Sequence, residues 1–173
     1  MKKMRIILNK NEINFAEMIG KKRQEINVRR KLVDKRQDNQ ANSTDITIEG
    51  YAGQLAFCKL FNIYPDMTSE VRKGADPSQI RYQDWFVQVK TNDKSEMWVV
   101  EWRKPTDGLV FAKMKGTIVR GYDFEGFISS HKALDPDNLV EAPFGGKAYR
   151  IECENLIHDI PPRSDLLKQG HVI

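Results

Sequence analysis

The hydrophobic pattern divides the chain into a helical part and a part rich in strands. Residues 11–37 have helical composition, with Ile13, Ala16 and Ile19 on a partial apolar face and Asn11 or Asn14 as the cap. A polar loop is expected over residues 37–45, and a second helix over residues 48–61. After Pro65 the period changes to two, which is typical of strands.

The strand signals predict a mixed sheet that follows the helices. We expect strands over residues 70–72, 78–82, 85–91, 97–103, 109–113, 117–120 and 147–153. Thr106, Asp107 and Gly108 indicate a hairpin turn, and a short helix is expected from Ser129 or Ser130. The predicted class is α/β (α+β): a single domain, residues 1–173, with a mixed β-sheet, antiparallel hairpins and flanking helices.

Composition indicates an intracellular protein with a basic helix that suits a polyanionic partner. The chain has 173 residues and a net charge of +4, and it contains no apolar run of membrane-spanning length. Residues 21–36 of the first helix contain eight basic residues and only two acidic ones. The basic residues are Lys21, Lys22, Arg23, Arg29, Arg30, Lys31, Lys35 and Arg36. Such a basic helix attracts polyanions. A solvated helix face is the alternative.

A strand ending in Gln-Val-Lys carries the candidate chemistry. Gln88 and Lys90 share one face, because residues of equal parity in a strand point the same way. Asp76 lies on the preceding strand. A two-residue turn at residues 83–84 leaves it on the other face, whereas a three-residue loop or a bulge pairs it with Lys90.

With that register, an acid, an amide oxygen and an ammonium converge on one point. Mg²⁺ needs only one or two carboxylates besides water, so Asp76 and the Gln88 amide are candidate ligands. Glu49 in the second helix is the candidate second carboxylate, and Gln54 is the alternative from that helix. Lys90 would orient water or neutralise developing charge.

Residues 49–57 (Glu-Gly-Tyr-Ala-Gly-Gln-Leu-Ala-Phe), Asp76 and residues 87–91 (Val-Gln-Val-Lys-Thr) resemble the PD-(D/E)XK nuclease superfamily. The resemblance covers about residues 46–103 and implies a restriction-endonuclease-like core, with residues 11–37 as a basic helical extension and 104–160 completing the sheet. It also implies Mg²⁺- or Mn²⁺-dependent cleavage of DNA, with Asp76, Gln88, Lys90 and Glu49 as the site. A phage-encoded origin and a homodimer are compatible with it.

Gln88 stands where the superfamily usually has an acid, which favours an alternative function. In that alternative the same fold is a catalytically inactive module that binds nucleic acid or a protein partner.

The remaining signals are structural. Cys58 and Cys153 lack metal-ligand spacing, and Cys58 fits a buried helix position. Trp98 and Trp102 are expected on one face of a strand, where core packing is favoured over base stacking. The histidines form no zinc pattern, and no phosphate-binding glycine loop is present.

Overall fold

The computed structural model describes residues 5–29, 42–68 and 80–160. Two long helices come first, α1 (Lys10–Arg29) and α2 (Ser43–Phe61). Asn9, and not Asn11 or Asn14, caps α1: its side chain accepts from the Glu12 backbone N–H, and Glu12 accepts in return from the Asn9 N–H.

Helix α2 starts five residues earlier than the pattern predicts. The Asn42 side chain caps it by accepting from the Thr44 backbone N–H. Residues 43–45, which the sequence assigns to a loop, therefore form its first turn. Polar residues of this kind are common at a helix start because they satisfy free N–H groups.

The strands form two sheets. Their bounds are β1 (Arg5–Ile6), β2 (Ile80–Tyr82), β3 (Trp85–Asn92), β4 (Glu96–Val100), β5 (Leu109–Thr117), β6 (Gly121–Ser129), β7 (Leu139–Glu141) and β8 (Lys147–Glu152). A mixed sheet has the order β1-β6-β5-β3-β2, and an antiparallel sheet has the order β4-β8-β7. The predicted α+β class is confirmed.

The mixed sheet has a core on each face. Helices α1 and α2 cover one face over Val87, Val89, Phe124 and Phe127. The second sheet and the short helix α3 (Ser130–Ala133) cover Phe111 and Ile128 on the other. We call these the helix face and the opposite face.

Gly53 sets the approach of α2 to the sheet. A Cβ at this position would lie 2.0 Å from Thr91 Oγ1 on β3, so only glycine permits the observed contact. Gly50 has open space around it. The close approach of α2 therefore depends on Gly53 and not on Gly50.

Strand β3 pairs with β5 in parallel, and this pairing corrects the predicted hairpin at residues 106–108. Strand β4, which was expected to pair with β5 across that turn, instead pairs with β8 in the second sheet. A turn does form at these residues, but the strand that follows it, β5, pairs with β3 and not with β4.

Two further strand predictions differ from the structure. Residues 118–120 form the turn between β5 and β6, not a strand, and the nine-residue strand β6 is absent from the prediction. The predicted α3, β3 and β8 agree closely in position. The predicted strand at residues 70–72 lies outside the described residues.

Candidate functional site

A cleft of about 530 Å³ opens at the carboxyl ends of the parallel strands β3 and β5. Its walls come from the first turns of α2, the end of β3, the start of β4 and the end of β5. Ligands commonly bind in the crevice at the carboxyl ends of parallel strands, because the connections diverge there. We refer to it as the β3–β5 cleft.

Lys90 and Glu49 both line this cleft, although they come from different elements. Lys90 lies near the end of β3, half-buried, with its Nζ 5.8 Å from the centre of the Phe111 ring. Glu49 reaches the cleft from α2. The structure thus brings two of the predicted site residues to one cavity, together with Asp45 and Asp93.

Glu49 also fastens the turn between β5 and β6 to α2. Its carboxylate accepts from the Ile118 backbone N–H at 3.2 Å and from the Tyr122 hydroxyl at 2.7 Å. Burial raises the pKa of Tyr122 well above its ordinary value, and the hydrogen bond to Glu49 raises it further. Tyr122 is therefore a donor at neutral pH. Glu49 therefore has a structural role whatever else it binds.

Gln88 shares the opposite face with Lys90 but is more deeply placed. Its side chain is 5 % exposed, and its Oε1 is buried without a hydrogen-bond partner among the described residues. A buried amide oxygen without a donor costs free energy, so such an atom calls for an explanation.

The β2–β3 connection is the two-residue turn. Ile80 pairs with Val87 and Tyr82 with Trp85, leaving Gln83 and Asp84 as the loop. In this register Asp76 belongs to the Lys90 face only if a bulge intervenes before Ile80. Asp76 lies outside the described residues.

Arg23 and Gln54 have a different role from the predicted one. Arg23 is buried; it donates to the Thr68 carbonyl at 2.9 Å and to Gln54 Oε1 at 3.4 Å. It also lies 3.5 Å from Asp66 Oδ2 and 4.6 Å from the Tyr51 ring centre. Arg23 therefore is not placed to bind phosphate, and Gln54 is committed to it and not to a metal.

The other described basic residues of α1 are exposed as expected. Lys21, Lys22 and Arg29 point to solvent near the end of the helix. Gln24, between them, bonds Ser43 and Thr47, so this end of α1 packs against the first turn of α2. The predicted phosphate contacts Arg30, Lys31, Lys35 and Arg36 lie outside the described residues.

Lys113 is a buried cation that the sequence analysis does not single out. It is fully buried on the opposite face of β5, directly beside Lys90 in the parallel register. Its Nζ donates to the Asn92 carbonyl at 3.3 Å and to the Asn92 side-chain oxygen. Burial lowers the pKa of Lys113 to about 8. The sequence signal that could have identified Lys113 is a charged residue at a strand position that faces inward.

Metal-ligand geometry is limited in the part of the chain that the structure describes. No three His, Cys, Asp or Glu side chains there are grouped so as to hold an ion. Cys58 is a buried free thiol, as expected, and burial raises its pKa to about 12.

The two tryptophans differ. Trp98 is buried beside the cleft and donates to Glu96, which confirms the core-packing interpretation. Trp102 lies beyond the end of β4 and is 54 % exposed, so both the predicted strand end at residue 103 and the core position of Trp102 are wrong.

Across residues 5–29, 42–68 and 80–160 no helix has the length and apolarity needed to cross a bilayer.

The comparisons with known proteins place the chain in a family without assigning an activity. A family model described as a family of unknown function, DUF5843, matches residues 3–143. The chain belongs to this family. No curated protein and no solved structure matches it.

Proposed function

We propose that this member of a family of unknown function is a Mg²⁺-dependent DNA endonuclease that works at the β3–β5 cleft. The observation that carries the proposal is that Glu49 and Lys90 line the same cleft from separate elements. An acid and an ammonium beside one cavity suit phosphodiester hydrolysis. DNA as the substrate implies action inside a cell, including action by a phage-encoded enzyme in its host.

Lys90 supplies the electrostatic part of the proposed reaction. Hydrolysis of a phosphodiester places additional negative charge on the phosphoryl oxygens, and a fixed ammonium at a partly desolvated site stabilises that charge. Lys90 is held on a strand and half-buried, so it needs little reorganisation. In this proposal Lys90 also orients the attacking water.

Mg²⁺ or Mn²⁺ would be held by Asp76, Glu49 and Gln88 in this proposal. The Glu49 carboxylate lines the cleft, and the buried Gln88 Oε1 has no hydrogen-bond partner in the described part of the chain, but Gln88 lies on the opposite face of the sheet and does not line the cleft. These are the oxygen donors that a hard cation prefers. When bound, the ion would polarise the phosphodiester and lower the pKa of a bound water.

A second function is favoured by the hydrogen bonds of Glu49. Its two oxygens already accept from Ile118 and Tyr122, and an amide stands at Gln88 where the superfamily has an acid. Both features reduce the negative charge available to a cation. They favour a non-catalytic module that binds DNA or a protein partner through the same cleft.

Nicking of a supercoiled plasmid distinguishes the two functions. We expect nicking with Mg²⁺ or Mn²⁺ and none with EDTA. Lys90→Ala should lower the rate by about 10²-fold or more, the usual effect of losing one such donor, while DNA binding persists. Lys132→Ala, which removes an exposed lysine on α3, is the control.

Calorimetry tests the ligand assignment separately. Asp76→Ala is expected to weaken Mg²⁺ binding. Full nicking by Lys90→Ala would reject its catalytic role, and unchanged Mg²⁺ affinity in Asp76→Ala would reject that ligand. DNA binding by the wild type without nicking under any metal would support the non-catalytic alternative.

A further inference from the structure

A group of cations lies at the border of the β3–β5 cleft. The turn between β3 and β4 (residues 93–95) lies against the tip of the β5–β6 hairpin. Lys115 Nζ donates to Ser95 Oγ at 2.7 Å, and Arg120 Nη2 donates to Asp93 Oδ2 at 3.0 Å. Lys94 is exposed within the same turn.

The Arg120–Asp93 pair is suited to exchange its partner. The two side chains are 63 % and 51 % exposed, and ion pairs this open contribute little to stability. Asp93 also lines the cleft, so Arg120 is held at its edge. An incoming anion can therefore replace Asp93 as the acceptor of Arg120 with little loss of stability.

The hairpin tip is positioned before any ligand arrives. Glu49 binds the Ile118 backbone N–H and the Tyr122 hydroxyl on either side of Arg120 in the chain. A fixed tip reduces the ordering cost of binding. It also keeps Arg120 and Lys115 at the same border of the cleft.

We infer that Arg120, Lys115 and Lys94 form a phosphate-binding rim that positions a DNA backbone over the cleft, with Arg120 exchanging Asp93 for a phosphate. This inference rests on the proposed function. Guanidinium groups match the geometry of phosphate oxygens, and clustered lysines add affinity by counterion release.

Fluorescence anisotropy measures binding to a duplex of about 20 base pairs. EDTA is present, so the rim is tested by binding alone, without cleavage. The triple variant Arg120→Ala, Lys115→Ala, Lys94→Ala should bind about tenfold more weakly or worse at moderate salt. The slope of log affinity against log salt should become shallower by about 2.7, or about 0.9 for each lost contact. The double variant Lys104→Ala, Lys132→Ala removes exposed lysines away from the cleft and should match the wild type.

Asp93→Asn tests the exchange itself. Removing the competing carboxylate should tighten DNA binding several-fold, whereas Asp107→Asn, an exposed acid paired with His131, should have little effect. Weaker binding by Asp93→Asn would mean that the ion pair is needed to shape the rim, which overturns the exchange.

Failure of the inference and failure of the proposed function give different results. A triple variant with wild-type affinity and salt slope overturns the rim alone. A wild type that binds no DNA overturns both. Equally tight, Arg120-dependent binding of polyglutamate would assign the rim to an acidic protein and overturn its assignment to phosphate.

Discussion

Arg23 and Lys113 are both long cations buried in the described part of the chain, and their surroundings differ sharply. Arg23, between the two helices, has the Thr68 carbonyl, Gln54, Asp66 and the face of Tyr51 around it. Lys113, on the opposite face, has hydrogen bonds among the described residues to Asn92 alone, and the nearby charge of Glu125 only partly offsets its burial. Arg23 has several acceptors including a carboxylate in direct contact, whereas the hydrogen bonds of Lys113 go to neutral oxygens and its nearest acid acts on it without a hydrogen bond among the described residues.

This difference distinguishes a buried cation that stabilises the fold, Arg23, from one whose burial is unfavourable, Lys113. A buried charge with a carboxylate and hydrogen bonds is consistent with a structural role. The burial of Lys113 outweighs the nearby charges that favour its ammonium, and the buried Gln88 oxygen has no partner among the described residues, so both put incompletely matched polar groups on the opposite face. Unfavourable burial of this kind is typical of functional sites.

Arg23→Met should have the largest effect on stability. It leaves Asp66 buried without its cation and the Thr68 carbonyl without its donors, and breaking such a pair typically costs about 3–5 kcal/mol. Urea denaturation measures the loss. Arg29→Met, at an exposed position of the same helix, should change stability by less than about 0.5 kcal/mol. Equal effects of the two substitutions would remove the distinction drawn for Arg23.

Lys113→Met should show its effect through pH. The pKa of Lys113 is lowered from 10.5 to about 8, so the folded state binds its proton more weakly than the unfolded state does. Wild-type stability therefore rises, relative to the variant, as pH increases from about 8 to 10.5. The relative gain is roughly 3 kcal/mol, from about 1.4 kcal/mol for each pKa unit.

The same variant loses the hydrogen bonds to Asn92, but that cost does not change with pH. The test is therefore the difference in unfolding free energy between wild type and variant across the window. A difference that stays constant from pH 8 to 10.5 would mean that Lys113 is not a strained cation, and the comparison with Arg23 would fail.

Gly53→Ala and Gly50→Ala form a matched pair with the smallest expected effects. A methyl group at Gly53 enters the space of Thr91 and should cost about 1–3 kcal/mol. At Gly50 it meets nothing, so the better helix propensity of alanine should add about 0.5–1 kcal/mol. Thermal unfolding of both proteins checks the opposite signs, and destabilisation by both would show that α2 is seated on the sheet through both glycines.

The sequence predicts elements better than it predicts their pairing. Strand β3 is found because its alternation is regular, but a turn signal at residues 106–108 cannot say whether β5 pairs with β4 or returns beside β3. Strand β6 is missed because a bulge opposite Lys113 and Met114 shifts its parity. Phe124 and Phe127, three apart, consequently both enter the helix-face core.

The candidate site is predicted in part for a similar reason. Parity alone places Gln88 and Lys90 on one face, and Glu49 does reach the cleft with Lys90. Charge counting, however, cannot distinguish the inward Arg23 from its exposed neighbours Lys21 and Lys22, because that depends on how α1 is rotated against α2. Arg120 and Lys115 reach the border of the cleft through the β5–β6 hairpin, which the sequence does not predict.

The pairing of β4 with β8 has a consequence for how the chain acquires its structure during synthesis. Glu96 pairs with Glu152, so β4 leaves the ribosome well before β8, the strand it pairs with in the described part of the chain, is made. Until then, the apolar side chains of β4, such as Met97 and Val99, lack the cover that β8 provides. Nascent chains that stop short of β8 should therefore expose these side chains to solvent, and synthesis of β8 is the step that covers them.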